Sequence, residues 1–159
     1  MKNLKNLLKT PLQIIPKWAP IALLVLALVG FADATYLTIE HYQNEIPPCA
    51  IGGCETVLTS AYSQIAGIPV SLFGSLTYLV LIVLLLLYLD TKKEIFLRIA
   101  LPVSFVAALA SVAFLLIMAF VLKAFCQYCA VSDAISITIF FVLLWLALRS
   151  RNSSLPVRG

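Results

Sequence analysis

The residues best suited to chemistry in this chain are four cysteines in two pairs, Cys49 with Cys54 and Cys126 with Cys129. The second pair is a C-x-x-C in the segment from Ala124 to Asp133, where one apolar run ends and the next begins. Cys126, Cys129 and Asp133 are spaced i, i+3 and i+7, which on a helix places them on one face. Thiols at i and i+3 inside a regular helix bond poorly to one another. At a helix N-terminus the unpaired N–H groups and the macrodipole favour a thiolate, to which Lys123 could add. Thiol–disulfide exchange is the chemistry this pattern suits. The first pair brackets Gly52-Gly53, which permits a tight reversal and a small disulfide; both a structural staple and a redox pair fit it. A four-cysteine zinc site is a third reading of the spacing, although structural zinc usually staples small domains that lack a core.

The elements that position these residues follow from composition. Of 159 residues, 62% are hydrophobic and 11% charged, against about a quarter charged in soluble domains. A span of the hydrocarbon core takes about 20 apolar residues, and four such runs are present, near 18–39, 70–89, 99–122 and 126–148. The reading is an all-α integral membrane protein. It is a four-transmembrane-helix bundle over 18–148, with tails at 1–17 and 149–159 expected in the cytoplasm. Ala32-Asp33-Ala34 resembles a signal-peptide cleavage site, but the apolar run continues through Ile39, so a retained span is expected.

Ten of the eleven Lys and Arg residues fall in the N-terminal tail, the 90–98 link and the C-terminal tail; Lys123 is the exception. The positive-inside rule then puts both termini in the cytoplasm and both cysteine pairs on the outer face, where disulfides persist. The net charge of +4 therefore reads as topology, and no aromatic-interleaved basic patch points to nucleic acid. In the 40–69 loop, Val57, Ala61, Ile65 and Ile68 recur near helical period, with a stop at Gly67 and Pro69. This predicts a short amphipathic half-helix lying on the membrane surface, apolar side down.

Asp33 and Asp133 lie within spans, where an ionisable group is a functional candidate. Asp133 could bind a polar ligand or pass protons. Alternatively, both carboxylates pair with hydroxyls such as Thr35, Thr38, Ser132 and Ser136. His41, the single histidine, is expected to be solvated.

Taken in order, Cys49 and Cys54, Ser60 six positions on, the segment Gly67-Ile68-Pro69-Val70-Ser71-Leu72-Phe73-Gly74, and Cys126-Gln127-Tyr128-Cys129 opening the last span resemble the vitamin K epoxide reductase family. Its bacterial thiol-oxidising members are the best match, and the resemblance covers about residues 20–148. It implies a four-helix bundle around a quinone (ubiquinone or menaquinone), in the plasma membrane of a bacterium. Cys126 and Cys129 would be the active pair, with Cys129 nearest the quinone, and Cys49 and Cys54 the shuttle pair. Ser60 would lie beside the active centre. Phe73, Phe125, Tyr128 and Asp133 are quinone-site candidates, and the three aromatics fit equally as interfacial residues.

The implied partner is a separate thioredoxin-like (DsbA-like) protein outside the cytoplasm, because the chain carries no fused thioredoxin-like domain after span four. Animal members have a tyrosine where this chain has Asp133, and an asparagine near Val70 and Ser71. These departures favour simple quinone reduction over vitamin K epoxide reduction. A second quinone-linked disulfide-forming family has its cysteine pairs in the opposite order. A non-enzymatic membrane protein with stapled loops is the alternative from another class.

Overall fold

The computed structural model describes residues 16, 18–50 and 52–152, with side chains through 149. Most of the two expected tails lies outside the described residues. Four helices among the described residues are long and apolar enough to cross a membrane, spanning Trp18–Gln43, Val70–Thr91, Ile95–Leu122 and Gln127–Arg149. In hydrocarbon every backbone polar group must be satisfied within its own segment, and uninterrupted helices do this.

Chain order gives α1 (Trp18–Gln43), α2 (Cys54–Leu58), a 3-10 turn (Ala61–Ser63), and strands β1 (Gln64–Ile65) and β2 (Ile68–Pro69). Then come α3 (Val70–Thr91), α4 (Ile95–Leu116), a π-helical turn (Ile117–Leu122) and α5 (Gln127–Asn152). Helix α1 packs on α3 and α5, and α4 packs on the same two, so the long helices form a ring of four. Lys92, in the left-handed conformation at φ 54°, ends α3 and returns its N–H to the Tyr88 carbonyl. Pro102 lies inside α4 and removes one rung of its ladder.

Lipid provides no hydrophobic drive between helices, so close packing of small residues does this work. Ala19, Ala27, Ala34 and Ala100 are buried with Leu23, Leu81, Leu85, Ile139, Leu143 and Leu146 in the main core. Gly30 is needed because Tyr78 of α3 fills the space beside it: a Cβ there would run into the ring. Polar glue joins α1 to α3 where Thr35 Oγ1 meets Ser75 Oγ at 2.9 Å and Thr38 Oγ1 donates to Ser71 Oγ at 3.0 Å.

The expected half-helix over 55–67 is shorter and broken. It consists of α2, the 3-10 turn and an antiparallel hairpin pairing Ile65 with Ile68. Ser60 Oγ donates to the Val57 carbonyl, and Ser63 Oγ to the Leu58 and Ser60 carbonyls, at 2.7–2.8 Å. Such local bonds compete with the helical ladder. Ala66 and Gly67, at φ 53° and 81°, then turn the chain back. Of the apolar stripe only Val57 is buried; Ala61, Ile65 and Ile68 are exposed.

Candidate functional site

A second cluster of buried residues lies at the end of the bundle that carries the cysteines. It holds Leu37, Cys54, Val57, Met118, Cys126 and Cys129. Span three delivers the chain to it through the π-helical turn. Lys123, left-handed at φ 50°, stops that helix, and the Ala124 N–H bonds back to the Met118 carbonyl at 3.2 Å. Four non-helical residues later α5 begins, so Cys126 immediately precedes its first residue. There its Sγ accepts the Cys129 backbone N–H at 3.3 Å, one of the unpaired donors of the first turn. Both thiols are free and buried.

The Cys126 thiol ionises below the ordinary thiol range. The main cause is a hydrogen bond from the Cys129 thiol, opposed by burial and assisted by the Cys129 and Tyr128 backbone N–H groups. Lys123 is exposed and is not among the groups that act on it. The N–H groups of the helix terminus thus contribute in the direction the sequence suggested, but behind the Cys129 thiol, and the lysine does not.

Cys49 and Cys54 are joined in a disulfide, with Cα atoms 6.0 Å apart. In that state neither offers a thiolate to a metal ion, as a four-cysteine zinc site would need. Between them, Gly52 and Gly53 stand at φ 76° and 94°, a reversal that side chains resist. Cys54 opens α2 and is completely buried, whereas Cys49 is half-buried.

On its other side Cys129 opens into a cavity of about 650 Å³ between the helices. Its walls include Leu37, Phe73, Val103, Val106 and Phe114, with Ser132, Asp133 and Ser136 of α5 one to two turns below Cys129. Asp133 interacts with Ser111 of α4, and its Oδ2 is buried without a partner; Asp33 Oδ2 is in the same condition. The hydroxyls expected to pair with these carboxylates are engaged elsewhere. Thr35 and Thr38 bond to α3 serines, Ser132 Oγ donates to Tyr78 Oη at 3.5 Å, and Tyr78 Oη donates to the Ser132 carbonyl at 2.6 Å and lies 2.9 Å from Ser136 Oγ.

The sequence candidates divide. Phe73 and Asp133 line the cavity, but Phe125 and Tyr128 do not. Phe125 is half-exposed, and Tyr128 turns to the loop, donating to the Pro48 carbonyl at 3.1 Å and packing on Tyr36. Tyr128 is one residue from Cys129, about 100° round the helix, and Phe125 is one residue from Cys126 before the helix begins, so neither shares the face that Cys129 turns to the cavity. Ser60 is not in the cavity wall either; Ser63 is, and Ser60 Oγ bonds to the carbonyl of Val57, a member of the cysteine cluster. His41, expected in solvent, contributes to the lining. Tyr78 and Ser111 escaped the sequence reading; the one available signal was a polar group recurring inside an apolar run.

A low thiol held at a helix terminus, sealed in apolar surroundings beside a disulfide, is equipped for electron transfer through sulfur. The class is thus a multi-pass membrane redox protein. Comparison with known sequences agrees: the description "Vitamin K epoxide reductase family" matches residues 21–144, and the chain belongs to that family of oxidoreductases. Members of the family in general use quinones and are linked to thioredoxin-like proteins. No curated protein matches the chain.

Proposed function

We propose that this chain is a thiol:quinone oxidoreductase of a bacterial plasma membrane that supports disulfide bond formation. Electrons enter from a thioredoxin-like protein outside the cytoplasm at Cys49–Cys54, pass to Cys126–Cys129 and leave to a quinone. The observation that carries this reading is the two-sided setting of the C-x-x-C. Cys126 and Cys129 share one buried cluster with Cys54, and of the two only Cys129 also faces the cavity.

The exchange steps start with both pairs oxidised, Cys49–Cys54 as in the structure and Cys126–Cys129 closed from its two free thiols. A partner thiolate attacks the more accessible Cys49 and its second thiol resolves the bond, leaving the partner oxidised and Cys49 and Cys54 reduced. Cys54 thiolate then attacks Cys126; the Cys54–Cys126 bond forms as Cys126–Cys129 breaks, and Cys129 leaves as thiolate. Cys49 closes on Cys54 and restores the outer disulfide, so that two electrons now reside on Cys126 and Cys129. Each step sets a thiolate against a disulfide sulfur.

The cavity fits a quinone. Its volume lies within the range of about 300–1,000 Å³ usual for small-molecule sites, its walls are apolar, and Asp133 brings a buried oxygen without a partner. Phe73 would cover the ring, Asp133 would hold the head group, and Tyr78 would hold α5 at Ser132 and Ser136. A bound quinone supplies a two-electron, two-proton acceptor. The apolar lining excludes water from Cys129 while it is reduced.

Lys92 and Lys93 stand at the end of the bundle opposite the cysteines, which supports cytoplasmic termini and an outward-facing redox centre. The test is quinone reduction by purified protein under anaerobic conditions. Cys126→Ala and Cys129→Ala should abolish it with any dithiol. Cys49→Ala and Cys54→Ala should lose turnover with a thioredoxin-like donor and keep some with dithiothreitol. A normal rate in Cys126→Ala would refute the relay.

A further inference from the structure

The two residues between Cys126 and Cys129 reach out of the helix to the backbone of the disulfide loop. Gln127 Oε1 accepts the Ala50 N–H at 3.3 Å, and Tyr128 Oη donates to the Pro48 carbonyl at 3.1 Å. Pro48 and Ala50 are the immediate neighbours of Cys49. The Tyr128 ring is steadied from α1 by Tyr36, at 5.7 Å between centroids.

A third contact holds the far side of the loop. A Cβ on Gly53 would come within 3.0 Å of the Phe125 carbonyl oxygen and 3.1 Å of its nitrogen, so the loop backbone lies directly on the segment leading into Cys126. The loop is thus held at 48, 50 and 53, around the whole disulfide. In this docked position Cys54 and Cys126 are each fully buried in one cluster, while Cys49 remains half-buried at the surface.

We propose that Gln127 and Tyr128 form a latch that docks the disulfide loop on the active pair, placing Cys54 for exchange with Cys126 and closing the loop over the Cys126 thiol. Both are positioning residues, and the proposal rests on the relay reading above. The two hydrogen bonds are exposed, so each is weak and breakable, as a loop that must also present Cys49 to a partner requires. Losing the latch has two consequences of opposite sign: exchange between the pairs slows, and Cys126 becomes easier for a small reagent to reach. A residue that merely supports folding would not split the two readouts.

The test uses the full chain carrying Cys129→Ser, with the Cys49–Cys54 disulfide formed and Cys126 as the free thiol. Cys126 thiolate attacks Cys54; the Cys126–Cys54 bond forms, Cys49–Cys54 breaks, and Cys49 leaves as thiolate, with no electrons gained or lost by the chain. Timed acid quenching and mass spectrometry follow the Cys54–Cys126 species. Iodoacetamide labelling of Cys126 is measured on the same samples. Gln127→Leu and Tyr128→Phe should each slow exchange by about three- to tenfold, the net worth of one neutral hydrogen bond, and each should speed labelling. Gln127→Glu keeps the acceptor and should stay near the parent.

Parental exchange rates in Gln127→Leu and Tyr128→Phe would overturn the latch alone. So would a fall of exchange and labelling together. If the Cys129→Ser parent itself forms no Cys54–Cys126 disulfide, the relay fails, and the latch with it.

Discussion

Gly30→Ala is the substitution whose cost the packing fixes best. The new Cβ would run into the Tyr78 ring at Cζ and meet its two Cε atoms at 2.5 and 2.9 Å. Carbon atoms pack at about 3.5–4.0 Å, so the ring must retreat by about 1 Å. Tyr78 is 2% exposed and lies between Gly30 of α1 and Ser132 and Ser136 of α5, so the ring can retreat only toward the cavity it lines, away from its α5 partners. Its hydroxyl would leave the Ser132 carbonyl and Ser136 Oγ, now at 2.6 and 2.9 Å. Overpacking costs about 1–3 kcal/mol, and each of the two hydrogen bonds adds about 0.5–1.5 kcal/mol, so the total is about 2–6 kcal/mol. The assay is unfolding by titration in mixed micelles, run as a cycle with Tyr78→Leu, which removes the end of the ring. In that background Gly30→Ala should cost less than about 1 kcal/mol, because the coupling belongs to the contact itself. Equal costs in the two backgrounds, or a single-variant cost below about 0.5 kcal/mol, would refute the reasoning.

Two further outcomes follow from the site. The reduced Cys126 thiol should remain reactive toward iodoacetamide below the pH at which an ordinary thiol, with a pKa of about 8.5, stops reacting. Cys129→Ala deletes the main hydrogen-bond donor to the Cys126 sulfur, so the labelling midpoint should move to higher pH; pH–rate profiles read this directly. Asp133→Leu removes the unpartnered oxygen from the cavity wall, and a hydrogen bond is worth about 0.5–1.5 kcal/mol net. The KM for a soluble quinone should then rise about three- to tenfold while disulfide exchange between the cysteine pairs keeps its rate, as steady-state kinetics and thiol trapping would show.

Much of the fold is legible because lipid imposes one strong rule: long apolar runs must be helices, and Lys92 and Lys123 stop them where the polar signals stand. The C-x-x-C at the start of α5 is legible for the same reason, since the span boundary falls on it. The loop is less so. Val57, Ala61, Ile65 and Ile68 have helical spacing, yet the hydroxyls of Ser60 and Ser63 capture backbone carbonyls, and Ala66-Gly67 turns into a hairpin. Periodicity cannot register such local competition. The cavity wall was half legible. Asp133 lies on the Cys129 face by spacing, but Tyr78 and Ser111 belong to other helices, and only packing brings them there. Tyr128 and Phe125 show the converse: adjacency to a reactive cysteine in sequence does not place a side chain on the same side of the helix.

The central claim is that two electrons from the outer pair reach the cavity through Cys126 and Cys129. The most direct measurement starts from fully reduced protein mixed anaerobically with one equivalent of a soluble quinone, followed by quantification of each disulfide by mass spectrometry after quenching. The account predicts that Cys126–Cys129 forms first and Cys49–Cys54 later, with the later step lost in Cys126→Ala. Formation of Cys49–Cys54 at an unchanged rate in Cys126→Ala would contradict it.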